Sequence, residues 1–157
     1  MRPGAAGSAA SDFRHRVGGP GCEVVLHMEA VVGETSRIPV LGRLRFSSRE
    51  PYSVFLDNHI DLPRPVTWVL SRELLSEGLH TPVGQGDVSV FPDRPEQAQV
   101  LYLILRGLDV AAVLRLPAAD VRRFLNMANR IVPKGREGEH LDLDGLLALL
   151  LRPEPPV

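Results

Sequence analysis

Residues 50–87 read EPYSVFLDNHIDLPRPVTWVLSRELLSEGLHTPVGQGD, and two alternating runs inside them set the fold class. Tyr52, Val54 and Leu56 share one face of an extended segment that starts just after Pro51. Val66, Trp68 and Leu70 do the same after the breaker Pro63-Arg64-Pro65. A period of two puts one side of a strand into a core and leaves the other side to solvent. Gly84-Gln85-Gly86-Asp87 then reads as a glycine-mediated turn into a strand at Val88. It precedes a strand, so no helix N-terminus stands ready to hold a phosphate there.

Working outward, the same period recurs. Residues 23–30 place Val24, Leu26, Met28 and Ala30 on one face, and 40–46 set Leu44 and Phe46 against Arg43 and Arg45. Residues 88–91 form a short strand closed by Pro92. Residues 100–105 are apolar on both faces, as a central strand requires, and 110–116 supply a partner across the turn Gly107-Leu108-Asp109. After Pro117 the period becomes helical, because Val121, Phe124, Leu125, Ala128, Ile131 and Val132 fall on one stripe. Pro133 and Gly135 end that helix. A polar loop over 134–140 leads to a second short helix, with Asp142 or Asp144 as N-cap and Pro153 beyond its end. The predicted fold class is α+β: about seven antiparallel strands in an open, barrel-like sheet, with two C-terminal helices.

Composition bounds the function. A chain of 157 residues can bury a core without disulfides, and its 44% apolar and 24% charged residues are ordinary for a globular domain. Residues 1–21, rich in Gly, Ala, Ser and Pro, read as a disordered N-terminal extension to a domain over 22–152, with a Pro-rich tail at 153–157. A net charge of −1 gives no global pull toward nucleic acid or anionic lipid. Cys22 is the single cysteine, which excludes an internal disulfide and suits a reducing cytosol. No apolar run approaches the roughly 20 residues a membrane-spanning helix needs.

No catalytic residues, cofactor site or metal site is predicted. There is no nucleophile elbow, no HExxH, no phosphate-cradling GxxxxGK[ST] and no cysteine pair. The five histidines are scattered, and His59 with Asp57 or Asp61 is only the neighbour relation that any strand produces. Trp68, followed by the adjacent pair Arg72 and Glu73, admits two readings. One is a core tryptophan beside a solvated ion pair; the other is a feature that shapes the loop over 76–86 for a partner. The last helix, with Leu146, Leu149 and Leu150, is apolar nearly all round. Its surface either joins the core or meets another subunit or partner. Trp68, Arg72, Glu73, Leu146, Leu149 and Leu150 are therefore the candidate contact residues.

Several segments, in order, resemble the SsgA-like proteins of actinomycetes: Glu50-Pro51-Tyr52-Ser53-Val54, His59, Val66-Thr67-Trp68, Ser71-Arg72-Glu73-Leu74-Leu75, Gly78-Leu79-His80-Thr81-Pro82 and Gly84-Gln85-Gly86-Asp87-Val88. Val132-Pro133-Lys134-Gly135 and Leu141-Asp142-Leu143-Asp144 continue the resemblance, which covers 23–151. It implies a small non-enzymatic cytoplasmic protein concentrated at the division septum, acting in sporulation-linked cell division. It also implies protein partners, either the ring protein FtsZ, the septal peptidoglycan machinery or another SsgA-like protein. A fold similar to the whirly single-strand-binding type and a homotrimer follow from the same resemblance. Asn58 and Leu70 depart from the family pattern, which has an aromatic or apolar residue and a Phe at those places. Single-stranded nucleic-acid binding, with Arg43, Arg45 and Tyr52 as a minimal patch, is the competing function.

Overall fold

The computed structural model describes residues 19–108 and 111–151, apart from the side chain of Gln85. The extension, up to residue 18, and the tail at 153–157 lie outside the described residues, as does Asp109 of the predicted turn. Eight strands form one sheet: β1 Gly21–Val32, β2 Ser36–Ser47, β3 Ser53–Asn58, β4 Val66–Ser71, β5 Val83–Gln85, β6 Val88–Pro92, β7 Val100–Arg106 and β8 Ala111–Pro117. Among the described residues three α-helices accompany them: α1 Arg72–Gly78, α2 Ala118–Ile131 and α3 Leu143–Leu150, with a 3-10 turn at Glu137–His140. The α+β class and the antiparallel sheet are as the sequence predicts.

The strand order is β4-β3-β2-β1-β8-β7-β6-β5, and every neighbouring pair is antiparallel. The two ends, β4 and β5, do not pair, so the sheet stays open. Alternation decides which side is buried. Val24, Leu26, Met28, Leu44, Phe46, Val54, Leu56, Leu70, Leu103 and Leu114 point to one face and form the core with Val121, Phe124, Leu125 and Ala128 of α2. Leu74 and Leu75 of α1 join the same core, so both helices lie on that face. Hence Tyr102 and Ile104, on the opposite face of β7, are only half-buried, although the strand has a neighbour on each side.

The sequence differs from the structure in three places. The first hairpin is longer than its apolar alternation shows, because backbone pairing carries β1 and β2 on to Val32↔Ser36 around Gly33. Val83–Gln85 is an eighth strand, paired with β6 across the turn at Gly86, whose φ of 59° suits glycine. Residues 72–78, predicted as the end of a strand and a following loop, are helical. The Ser71 hydroxyl accepts from the Leu74 N–H at 3.2 Å and so caps α1. Asp142 caps α3, its Oδ1 accepting from the Gly145 N–H at 2.8 Å.

Candidate interaction surface

The Trp68–Arg72–Glu73 segment separates into three environments. Trp68 is half-buried on the core face of β4, opposite Leu56. Glu73 is exposed in the first turn of α1. Arg72 is only 5% exposed. Its guanidinium donates from Nη1 to the Pro51 carbonyl at 3.3 Å, and from Nη2 to the Val132 carbonyl at 2.6 Å and to Asn129 Oδ1. Its Cζ lies 5.1 Å from the Phe46 ring centre, and Glu137 stands 3.9 Å away. Burial lowers the Arg72 pKa, with Glu137 and Cys22 opposing. Arg72 therefore does not present a charge to a partner. It ties the turn before β3, the start of α1 and the end of α2 together, over sequence separations of 57 and 60 residues to Asn129 and Val132.

A cleft of about 250 Å³ opens above Arg72, lined by Tyr52, Glu73, Leu125, Asn129, Lys134 and Glu137 among others. Tyr52 and Lys134 are exposed at its rim. Three of the segments that resemble the family, at Tyr52, at Ser71 to Glu73 and at Lys134 to Gly135, converge on this cleft.

On the opposite face of the sheet, Asp57 forms a compact ionic cluster. It accepts from Arg45 Nε at 2.6 Å and Nη2 at 2.9 Å, from Arg43 Nε at 3.1 Å and from the Thr67 hydroxyl at 2.6 Å. Burial pushes the Asp57 carboxyl up, but the hydrogen bonds from Arg45, Thr67 and Arg43 outweigh it and hold the pKa below the ordinary value. This removes two sequence readings. Asp57 is engaged with arginines and does not orient His59 as a base. Arg43 and Arg45 are folded onto Asp57, so they do not form a cationic groove with Tyr52, which lines the Arg72 cleft instead.

Leu146, Leu149 and Leu150 are 54%, 65% and 71% exposed, and no residue of α3 is buried. Of the two readings for this helix, joining its own core does not occur. Asn58, which the sequence reading marked as a departure from an aromatic or apolar position of the family pattern, keeps a buried Oδ1 with no hydrogen-bond partner among the described residues. One feature escaped the sequence reading altogether. Glu29, Arg115, Tyr102 and Phe91 form a row across the sheet face opposite α1 and α2, with Arg115 bonded to Glu29 and the two rings stacked 5.0 Å apart. Each lies on a different strand, so only the register brings them together.

Residues 40–137 match the model of a family described as Streptomyces sporulation and cell division protein, SsgA. The chain belongs to the SsgA family. The sporulation-specific cell division protein SsgB of Streptomyces coelicolor is 39% identical over 130 residues, spanning 83% of this chain and 93% of that protein. The SsgB of Kineococcus radiotolerans is 43% identical over 119 residues, spanning 73% and 70%. Among solved structures, one of SsgB, whose mutations correlate to longitudinal cell division during sporulation of Streptomyces coelicolor, superposes with a TM-score of 0.72 at 37% identity. It covers 77% of this chain and 95% of that one. An SsgA-like sporulation-specific cell division protein from Thermobifida fusca superposes with a TM-score of 0.74 at 26% identity, covering 85% and 97%. The open antiparallel sheet with its helices is thus the SsgA-family fold.

Proposed function

We propose that this protein is a non-catalytic adaptor in sporulation-linked cell division. It helps position FtsZ or the septal peptidoglycan machinery through protein contacts, from the cytoplasm and concentrated at the division septum. The observation that carries this reading is α3, an eight-residue leucine-rich helix with no buried residue, joined to a body whose charged clusters are internally paired. An apolar surface of that kind needs a cover. In this reading Leu146, Leu149 and Leu150 join copies of the chain into a homotrimer, leaving the Tyr52–Lys134 cleft as the face for the division partner. Membership of a family of sporulation and cell division proteins supports the pathway. The test is co-sedimentation of the purified protein with polymerised FtsZ, beside a pull-down from sporulating cells. Recovery of FtsZ or a septal wall-synthesis protein supports the adaptor, and recovery of neither contradicts it.

A further inference from the structure

The strand β4 closes one end of the sheet, and among the described residues no strand covers its outer side. The register fixes which backbone groups point outward. The Arg72 N–H bonds the Tyr52 carbonyl at 2.8 Å, and β3 and β4 pair with Val54↔Leu70, Leu56↔Trp68 and Asn58↔Val66. In an antiparallel ladder hydrogen-bonded pairs alternate, so residues 66, 68 and 70 spend their backbone groups on β3. Thr67 and Val69 turn their N–H and C=O outward, and among the described residues no strand meets them. The opposite end of the sheet is blunted by contrast, since β5 has three residues.

Outward groups at 67 and 69 are symmetric about Trp68. A second β4 laid antiparallel on this edge pairs Thr67 with Val69 of the copy, and Val69 with Thr67, around a two-fold axis at Trp68. Side chains then match. Trp68 meets Trp68, and Val69, 58% exposed, meets Thr67, while Val66, 53% exposed, stands opposite the buried Leu70. Residues 66–71 carry no charge to oppose this. At the ends of the same register Pro65 faces Ser71 of the copy. Pro65 has no N–H to offer, and the Ser71 carbonyl already belongs to the first turn of α1, so little is left unpaired there.

We infer that β4 is a homotypic strand-pairing site, joining two copies edge to edge with Trp68 at the axis. The contact is independent of α3 and of any division partner, and it can link α3-joined assemblies to one another.

Sedimentation velocity of the full chain over a range of concentrations tests it. The Val69→Pro variant removes an outward N–H that β3 does not use, and is expected to return the assembly to the mass of the α3-joined unit with its urea midpoint unchanged. Because Trp68 is the single tryptophan, its acrylamide quenching should fall with concentration in the parent and stay constant in Val69→Pro. Leu146→Ser with Leu150→Ser dismantles the trimer and leaves the β4 pair, which separates failure of this site from failure of the α3 reading. Equal masses for parent and Val69→Pro overturn the inference. A parent that is unpaired while Val69→Pro loses a different protein assigns the edge to that protein and also overturns self-pairing.

Discussion

Replacing Arg72 should cripple the fold, while replacing its neighbour Glu73 should not. Arg72→Leu removes charge-assisted hydrogen bonds to the Val132 carbonyl at 2.6 Å and the Pro51 carbonyl at 3.3 Å, together with the bond to Asn129. Such bonds contribute about 1.5–3 kcal/mol each, and a buried acceptor left without a donor costs about 1–3 kcal/mol. The leucine regains some apolar contact with Phe46, where the guanidinium now stacks at 5.1 Å. The net loss is expected to be about 3–5 kcal/mol, the range for a broken buried polar network. For a domain of this size that lowers the melting temperature by roughly 10 °C or more. Arg72→Lys keeps the charge but loses the fork that reaches both carbonyls, so it should recover less than half of the loss. Glu73→Ala, on an exposed side chain, should fall within about 0.5 kcal/mol of the parent. Urea unfolding followed by Trp68 fluorescence measures all three. An Arg72→Leu variant within about 1 kcal/mol of the parent would show that the guanidinium is not what holds α1 to the end of α2.

Further outcomes follow from individual contacts. A Cβ on Gly78 would overlap Val90 Cγ1, so Gly78→Ala should destabilise by about 1–3 kcal/mol despite its better helix propensity, and pairing it with Val90→Ala should cost less than the two summed. Asn58→Leu removes the unpartnered buried carbonyl and should raise the urea midpoint by an amount equivalent to about 1 kcal/mol. The Asp57 carboxyl has its pKa held down in the fold. Its contribution is present above the unfolded value of about 3.9 and is lost as pH falls through the lower folded value, so stability should decline in acid below about pH 4. Asp57→Asn should flatten that part of a urea-midpoint profile taken against pH. The Cys22 thiol is pushed up to about 11, chiefly by burial, so alkylation at pH 8 should be slow in the folded protein and fast in urea.

The sheet was legible because alternation is local. Val24 to Ala30, Tyr52 to Leu56 and Val66 to Leu70 each state their core-facing side within a few residues, and the structure buries Val24, Leu26, Met28, Val54, Leu56 and Leu70 on it, while Tyr52 and Val66 at the ends of their runs stay exposed. The α2 stripe was legible for the same reason at a different period. The α1 helix was hidden by its length, since seven residues complete too few turns to display 3.6-residue periodicity. Its one local sign was Ser71 three residues before Leu74, a capping position that resembles any serine at a strand end. Arg72 was read beside Glu73 because the two are adjacent in sequence. Its real partners, Pro51, Asn129 and Val132, lie on other elements, so only the fold could move it from the surface to the interior. The same holds for Arg43 and Arg45, whose exposure depended on where β3 placed Asp57.

The central claim is that the protein acts in division through surfaces displayed on this scaffold, above all the leucines of α3. Sporulating cells lacking the gene, complemented with Leu146→Ser/Leu149→Ser/Leu150→Ser, test that most directly when septa are counted beside cells given the parent chain. Because none of the three is buried, the variant should match the parent in urea midpoint yet fail to restore regular septation. Full restoration of septation by a folded variant would contradict the account.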